Sequence, residues 1–414
     1  MKVILFEDSQ FSDLLPLSYF RPVWELRCGV SQLFDKIQRI FPDHPLDLIA
    51  RQYLMDYYLD PSSCFNPAAV GVSEVLLLNG RLLPGTSLNK SLGEIPPDSA
   101  LISENAIVAW RTTKKNLVAY FDQGVVLSDR VLNDFNCQPI TVDLIQYPWD
   151  LLDRCGSEII KDAEALNLLG QHNGKIDQGS HLLNGESIHL GTGSRIMPGA
   201  VLNAENGPIW IGQNTRVMPN AVLTGPLAIG DGCLIKIGAK LYENTSIGPV
   251  CKVGGEVEGT IIQEFSNKQH DGFLGHAYLG AWINIGADTN NSDLKNNYGQ
   301  ISVYLNNRSI DTGKRFLGLI MGDHSKTAIN TMFNTGTVVG VSCNIYGEGF
   351  PPKFIPSFSW GGSSGMREFN FEKALEVAKI VMERRKVAFS HNHLKLFESV
   401  KQLTLTMENR VRIQ

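Results

Sequence analysis

The sequence predicts an α/β domain followed by a parallel β-helix, with helices after the β-helix. Between residues 211 and 253 every sixth residue is a branched aliphatic: Ile211, Val217, Leu223, Ile229, Ile235, Leu241, Ile247 and Val253. Helices repeat about every 3.6 residues and strands alternate every second residue, so neither element selects every sixth position. Gly212, Gly230 and Gly248 recur eighteen residues apart. Both spacings indicate a three-sided coil with six residues on each side.

The period of six also gives the extent of the β-helix. It returns from Met321 to Ile345 after an excursion from about Asn290 to Leu317. We predict a β-helix domain over residues 166–362. Segments that leave a regular stack are usually loops, and loops carry function more often than the elements they connect.

Residues 1–165 have the pattern of an α/β domain. Val3–Phe6 and Val75–Leu78 are short apolar runs that end at turn signals, and a helical pattern from Val30 to Phe41 lies between them. Strands that alternate with helices indicate a parallel sheet. Residues 363–414 form the third region, in which an amphipathic pattern predicts one or two helices beside the β-helix.

The composition restricts the classes of function. A net charge of −5 and a charged fraction of 19% give little support to nucleic-acid or membrane-surface binding. The seven cysteines form no C-x-x-C pair, so neither a disulfide framework nor a metal site is predicted. The first apolar run is too short for a signal peptide, and no stretch reaches the ~18–20 apolar residues of a membrane span. We therefore expect a cytoplasmic protein.

The segment from residue 269 to 298 carries the most specific motifs. These are Gly275-His276, Tyr278-Leu279-Gly280, Asn284-Ile285-Gly286-Ala287 and Asn297-Tyr298. The segment resembles the acetyltransferase half of the bifunctional N-acetylglucosamine-1-phosphate uridylyltransferase/glucosamine-1-phosphate acetyltransferase family, in which these motifs lie on a left-handed parallel β-helix. The resemblance implies that His276 is the general base. It also implies that the acceptor-sugar site is lined by Tyr278, Asn284, Asn297 and Tyr298.

The same resemblance implies acetyl-CoA as the acyl donor and a homotrimer, since coenzyme A in this fold commonly lies between neighbouring β-helices. The family's paired lysines, which hold the sugar phosphate, align here near Gly259-Thr260. Lys268 is therefore a candidate for binding the phosphate. The stretch between Asn284 and Asn297 is longer than in the family, so the acceptor sugar stays open.

The N-terminal domain is similar to a sugar-phosphate nucleotidyltransferase, with departures. Leu14–Leu26, LLPLSYFRPVWEL, is similar to the family's L-x-P-L-T-x-x-R-P-K-P-L. The glycine-rich phosphate loop G-x-G-T-R-M is absent, and Arg81 occupies the position of a metal-binding aspartate. Phosphoryl transfer needs a divalent ion to neutralise charge, so Mg²⁺ is expected only if this domain is active. Arg21, Arg27 and Arg81 stay candidates for binding a phosphate as fixed cations.

Three functions remain open. The first is a CoA-dependent N-acetyltransferase that acts on an amino-sugar phosphate in nucleotide-sugar synthesis, for which His276 suits the task because histidine exchanges protons near neutral pH. The second is a sugar-1-phosphate nucleotidyltransferase, against which Arg81 and the missing glycines count. The third is a non-catalytic ligand-binding homologue, for which the altered lysine pair is the best argument.

Overall fold

The computed structural model describes residues 2–65, 74–85, 88–113, 117, 119–122, 125–126 and 128–408. An α/β domain, a parallel β-helix and C-terminal helices follow one another in the predicted order. The predicted fold class is therefore confirmed. Within the described part of the chain, none of the helices combines the length and the apolar character that crossing a membrane requires.

The α/β domain is built on a six-stranded sheet. Its strands are β1 Lys2–Phe6, β2 Asp47–Ile49, β3 Glu74–Asn79, β4 Ser99–Ser103, β5 Ala106–Thr113 and β6 Asn136–Pro139. The sheet order is β6-β4-β5-β3-β1-β2. Strand β1 pairs in parallel with β2 and β3, whereas β5 is antiparallel to both of its neighbours. Both predicted strands are present, and the apolar residues of β1 are buried because this strand is central.

Three short two-stranded sheets complete the domain. They pair Arg27–Cys28 with Ser31–Gln32, Leu82–Leu83 with Asp143–Leu144, and Phe121–Asp122 with Val125–Val126. The helices of the described chain are α1 Leu33–Gln38, α2 Gln52–Tyr57, α3 Leu88–Gly93, α4 Ser128–Asp134, α5 Pro148–Leu166, α6 Phe371–Glu383 and α7 His391–Met407.

Helix α5 connects the α/β domain to the β-helix. Its start is fixed by Pro148 in the first turn and by Asp150, whose carboxylate accepts the backbone N–H groups of Gln146 and Tyr147. It ends at Asn167, whose φ of 51° is left-handed, as is common after a helix. The helix is nineteen residues long.

The β-helix has three faces, which the chain visits in the order 1, 2, 3. Face 1 contains the strands Lys175–Ile176, Arg195–Ile196, Arg216–Val217, Leu234–Ile235, Lys252–Val253, Asn267–Lys268, Lys326–Thr327, Asn344–Ile345 and Ser359–Gly362, the last of which also pairs with Gly365–Glu368. Face 2 contains His181–Leu183, Val201–Asn203, Val222–Thr224, Lys240–Leu241, Glu256–Glu258 and Phe273–Gly275, and the pair Asn290–Asn291 and Met332–Phe333 follows it. Face 3 contains Ile188–Leu190, Ile209–Ile211, Leu227–Ile229, Thr245–Ile247, Ile261–Ile262, Tyr278–Leu279, Leu319–Met321, Thr337–Val339 and Phe354–Ile355.

The residues of the six-residue period point into the β-helix and are buried, from Ile211 to Val253. The glycines that recur every eighteen residues lie where neighbouring coils approach each other closely. A Cβ atom at Gly230 would lie 2.8 Å from the backbone nitrogen of Pro249, and Gly212 and Gly248 face the next coil as closely. Close approach of neighbouring coils therefore selects glycine here, whereas the left-handed corners are occupied by residues such as Asn220 and Asn244.

The outward side of face 3 is covered by the rest of the same chain. One outward residue from each of six consecutive coils forms a row in register, and every member is buried: Ala228, Ser246, Ile261, Tyr278, Ile320 and Val338. The apolar members belong to one core cluster with Leu17, Trp24 and Leu26 of the α/β domain. The Ser246 hydroxyl donates to the carbonyl oxygen of Gly29 at 2.6 Å. The two domains therefore share a core.

Arg21 stabilises the contact between the α/β domain and the β-helix through ion pairs. Its Nη1 lies 2.7 Å from Glu264 Oε1 and its Nη2 lies 2.6 Å from Asp323 Oδ2, and both carboxylates belong to corners of the β-helix. Arg21 and Asp323 are buried. A buried charge is tolerated only when it is paired, so the docked position satisfies three charges at once.

We predict that Arg21→Met destabilises the protein by about 3 kcal/mol, because breaking a buried ion pair leaves an uncompensated charge. Urea unfolding measures this loss. Arg154→Met is the control, since its pair with Asp143 is half-exposed and should be worth less than about 1 kcal/mol. Equal losses in the two variants would contradict the role given to Arg21.

Candidate functional site

His276 lies at the corner where the chain turns from face 2 to face 3. Its φ of 44° is left-handed, which is rare for a bulky side chain. The surrounding structure holds this conformation: the His276 N–H donates to the Glu258 carbonyl oxygen at 2.9 Å, and the His276 carbonyl accepts the Gly318 N–H at 2.9 Å. The same conformation recurs at other corners of the β-helix, such as Phe265 and Trp282, so it belongs to the turn and not to His276 alone.

Asp293 orients the His276 ring. The distance from His276 Nδ1 to Asp293 Oδ2 is 2.8 Å, and the two side chains are 30% and 14% exposed. A carboxylate only accepts hydrogen bonds, so Nδ1 carries the proton that it donates to Asp293. The other ring nitrogen, Nε2, is then free to accept a proton from a ligand.

Two glycines leave room for this pair. A Cβ atom at Gly275 would lie 2.5 Å from Asp293 Oδ2, and one at Gly259 would lie 3.0 Å from His276 Cδ2. Gly259 stands where the resemblance placed one of the family's paired lysines. A side chain at this position would press on the His276 ring. The ring can therefore lie here because glycine replaces the family's lysine.

A cleft of about 220 Å³ lies beside the His276 ring. The β-helix supplies Asn244, Gly259 and His276, and helix α5 supplies the opposite wall with Trp149, Leu152, Asp153, Gly156 and Ser157. The end of the excursion closes it, because the ring centroid of Phe316 lies 5.2 Å from that of His276. Lys314 of the excursion forms an ion pair with Asp153 of α5.

Asp153 is the carboxylate that lines this cleft, and it is paired with Lys314. Glu258 lies near the His276–Asp293 pair. Burial raises the pKa of Glu258; the negative charges of Asp293 and Glu243 act in the same direction, and His276 opposes them.

Sequence reasoning missed most of the residues around His276. Asp293 and Phe316 lie near the two ends of the excursion, in which the sequence named Asn297 and Tyr298 but neither of these two residues. Asp153 and Asn244 come from another domain and from an earlier coil, so no local spacing links them to His276. Only the docking of α5 against the β-helix brings them together.

The four residues predicted for the acceptor-sugar site do not line this cleft. Tyr278 is fully buried in the shared core, where its hydroxyl oxygen accepts the Arg27 N–H at 2.9 Å. Asn284 is exposed on face 1, where its backbone bridges Asn267 and Lys326. The Asn297 carbonyl Oδ1 accepts the Gly299 N–H in a turn, and Tyr298 beside it is 69% exposed. Their roles in binding an acceptor remain predictions.

Lys268 occupies an inward position of face 1. It pairs in register with Val253, a residue of the six-residue apolar period, and it is buried inside the β-helix. Its Nζ donates to the carbonyl oxygen of His270. Burial lowers the pKa of Lys268 to about 8, so keeping the side chain charged reduces the stability of the folded protein.

We predict that Lys268→Met raises stability at pH 7 by about 1–3 kcal/mol. Between the folded pKa of about 8 and the ordinary value of 10.5 the unfolded chain binds more protons, so stability rises with pH across that window. In unfolding experiments from pH 7 to pH 10, the stability of the variant should rise less with pH than that of the wild type. Lys175→Met, an exposed lysine of the same face, should keep the wild-type rise. A wild-type pH dependence in Lys268→Met would contradict the assignment.

The arginines of the α/β domain are engaged with the protein itself. Arg81 is fully buried, with Nη2 at 2.6 Å from Asp8 Oδ2 and Nη1 at 2.6 Å from the carbonyl oxygen of Ile145. Asn79 Nδ2 also donates to Asp8 Oδ2, at 2.8 Å. Arg21 serves the domain contact, and Arg27 Nη1 donates to the Val30 carbonyl oxygen.

The residues around Asp8 do not fit Mg²⁺. The carboxylate is already bound by Arg81 and Asn79, and a guanidinium beside it opposes a second cation. Across the described ranges, no group of three or more His, Cys, Asp or Glu side chains is placed to hold a metal ion.

A cavity of about 830 Å³ lies at the ends of β1 and β2. From β1 the chain continues to β2 on one side of β1, and later to β3 on the other side, so the strand order reverses at β1. Open α/β sheets bind ligands at such a topological switch point. Phe11, Arg51, Tyr53 and Tyr57 line the cavity, and helix α7 covers it. Arg51 is held by Glu7, with Nε at 2.9 Å from Oε2 and Nη2 at 3.0 Å from Oε1.

Comparison with known proteins gives one family match and several relatives. Residues 3–168 match the family described as sugar nucleotidyl transferase. The bifunctional protein GlmU of Methanocaldococcus jannaschii is 30% identical over 119 residues, which cover 29% of this chain and 27% of that protein. The bifunctional sugar-1-phosphate nucleotidylyltransferase/acetyltransferase of Sulfurisphaera tokodaii is 30% identical over 97 residues, which cover 23% of this chain and 24% of that protein. GlmU of Acaryochloris marina is 25% identical over 226 residues, or 53% of this chain and 40% of that protein.

Solved structures also align with the chain at low similarity. The acetyltransferase domain of PglB from Neisseria gonorrhoeae, in complex with acetyl coenzyme A, is 18% identical with a TM-score of 0.20 and covers 38% of this chain and 70% of that one. LpxA, a UDP-N-acetylglucosamine acyltransferase from Bacteroides fragilis, is 14% identical with a TM-score of 0.22 and covers 56% of this chain and 84% of that one.

The fold is an α/β domain, which matches the sugar nucleotidyl transferase family over residues 3–168, joined to a β-helix. The predicted resemblance to the bifunctional sugar-phosphate family is confirmed by these relatives, one of which is named a nucleotidylyltransferase/acetyltransferase. The chain spans about a quarter to two fifths of the length of the curated relatives it matches.

Proposed function

We propose that this protein is a CoA-dependent N-acetyltransferase that acts on an amino-sugar phosphate, with His276 as the general base. The observation that carries the proposal is the His276–Asp293 pair at the cleft between the β-helix and helix α5. One relative is named a bifunctional sugar-1-phosphate nucleotidylyltransferase/acetyltransferase, which supports the same class of reaction. The volume of about 220 Å³ suits one sugar-sized group.

The residues support a direct transfer without a covalent enzyme intermediate. The acceptor ammonium group first releases one proton to solvent, and the neutral amine then attacks the thioester carbonyl of acetyl-CoA while His276 Nε2 takes a second proton from the same nitrogen. The new bond joins nitrogen to the acetyl carbon, and the carbon–sulfur bond breaks. The coenzyme A thiolate leaves with the proton that His276 returns. Asp293 stabilises the imidazolium while it exists.

A second candidate function is nucleotidyl transfer to a sugar 1-phosphate. The cavity at the ends of β1 and β2 and the family match of residues 3–168 favour it. The absent glycine loop and the Arg81–Asp8 pair count against it, because no group is left to hold the metal ion that the reaction requires. We therefore propose that the α/β domain retains the fold of a nucleotidyltransferase and not its transfer activity.

We also propose that the protein assembles as a homotrimer through faces 1 and 2, because face 3 is covered by its own chain. Large apolar side chains are exposed at the corner between those two faces, among them Ile237 and Ile329. In such a trimer, Asn284 on face 1 of one copy can approach the His276 cleft of a neighbouring copy. Sedimentation of the full chain tests it, since a monomer at micromolar concentration would exclude the arrangement.

The proposed activity is tested by mass spectrometry of a reaction that contains acetyl-CoA, glucosamine 1-phosphate, UTP and Mg²⁺, with each component omitted in turn. We expect acetylated sugar phosphate whenever the first two are present, and no UDP-sugar. His276→Ala should lower the transfer rate at least about a hundredfold, because general-base catalysis contributes that much. His270→Ala, an exposed histidine six residues earlier, should leave it unchanged.

The other outcomes separate the alternatives. UDP-sugar formation would show that the α/β domain is active in spite of Arg81. Full activity of His276→Ala would remove the base assignment. Absence of any product with a panel of amino-sugar phosphates would favour the non-catalytic homologue.

We predict that Asp293→Asn lowers kcat by at least about tenfold, because an amide neither fixes the Nδ1–H tautomer nor stabilises the imidazolium. KM for the amino sugar should change less, since Asp293 acts through His276. Steady-state kinetics measure both values. Asp288→Asn, an exposed carboxylate five residues earlier, is the control and should keep the wild-type rate. A similar kcat in both variants would mean that Asp293 has no positioning role.

A further inference from the structure

A separate cavity of about 620 Å³ lies where the α/β domain meets the opposite corner of face 3. The α/β domain contributes the segment from Arg27 to Arg39, and the β-helix contributes Pro249 and Glu264. None of the residues that line the His276 cleft lines this cavity. Its volume lies within the range of roughly 300–1,000 Å³ that is usual for small-molecule sites.

Arg27 lines this cavity with a guanidinium that the protein uses only in part. The residue is only 7% exposed, and its Nη1 donates to the carbonyl oxygen of Val30. Its Nε is buried and has no hydrogen-bond partner among the described residues. Buried polar groups are usually paired in a folded protein, so the guanidinium retains hydrogen-bonding capacity for a partner in the cavity.

Arg39 is a second guanidinium on the same wall. Its Nη2 pairs with Asp162, and its Nη1 donates to the Ser31 hydroxyl at 3.2 Å, so the group is fixed in place. Lys36 also binds Asp162, at 2.7 Å, which anchors the whole cluster to helix α5. Fixed guanidinium groups recognise phosphate oxygens through pairs of N–H donors.

Hydrogen-bond acceptors line the rest of the cavity. Glu264 lies on the β-helix side, with Oε1 bound to Arg21 at 2.7 Å, and Asp35 and Gln38 lie on α1. A purely anionic ligand would be repelled by these carboxylates. Hydroxyl groups can donate to them while a phosphate group meets the arginines.

We propose that this interdomain cavity binds a sugar monophosphate, with the phosphate at Arg27 and Arg39 and the hydroxyl groups toward Glu264, Asp35 and Gln38. The site goes beyond the proposed transferase reaction and does not depend on it. Since both domains form its walls, the ligand binds only the docked arrangement and stabilises it by mass action. The cavity therefore makes the contact between the domains responsive to a phosphorylated metabolite.

The test is calorimetric titration of the full chain with glucose 6-phosphate, with glucose at equal concentration as the uncharged comparison. We expect saturable binding of the phosphate ester, no binding of glucose, and a higher melting temperature in the presence of the ester. Arg39→Lys keeps a positive charge beside Asp162 and so preserves the fold, but it loses the guanidinium donors and should bind at least about tenfold more weakly. Arg27→Lys should behave in the same way. Arg154→Lys and His276→Ala should bind like the wild type.

Several results would overturn the proposal. One is the absence of saturable binding in the wild-type protein. A second is wild-type affinity in both Arg39→Lys and Arg27→Lys. A third is binding that disappears in His276→Ala, which would place the ester in the acceptor cleft. Loss of acetyl transfer in His276→Ala together with retained binding of the ester would separate this site from the proposed reaction.

Discussion

The docking of the α/β domain on face 3 of the β-helix is the contact on which the rest of the structure depends. The outward row from Ala228 to Val338 is apolar apart from Ser246, and its exposure would leave a continuous hydrophobic strip. Arg21 reaches across to Glu264 and Asp323, and the Asn306 amide of the excursion reaches back to Asp13 at 2.7 Å. Both domains are therefore held in one arrangement by packing and by charge.

This docking also explains where the candidate site lies. Helix α5 runs from the α/β domain to the β-helix, and in doing so it becomes one wall of the His276 cleft. The excursion supplies Asp293 and Phe316. In the α/β domain, meanwhile, two of the three arginines expected to bind a phosphate have structural partners: Arg21 joins the domains and Arg81 pairs with Asp8. The departure from the nucleotidyltransferase motif at Arg81 thus coincides with a structural role of that side chain.

The repeat made the fold predictable, because an inward apolar residue every six positions is a direct consequence of three flat faces. His276 could be proposed as the general base because it lies in a motif of the family. The partners of His276 could not be found in the same way, since Asp153 and Asn244 meet it only through long-range docking. Lys268 shows a second limit of sequence reasoning: the resemblance suggested it as a phosphate ligand, whereas only the register with Val253 reveals that it lies inside the β-helix. Tyr278 likewise alternates to the covered side of face 3, which only the docked domain reveals.

The central claim is that acyl transfer takes place in the cleft between His276 and helix α5. The most direct measurement is a crystal structure of the full chain with coenzyme A and an N-acetylated amino-sugar phosphate. The account predicts that the acetamido nitrogen lies within about 3.2 Å of His276 Nε2, with Asp293 on the other ring nitrogen. A structure in which both ligands are bound away from His276 would contradict it.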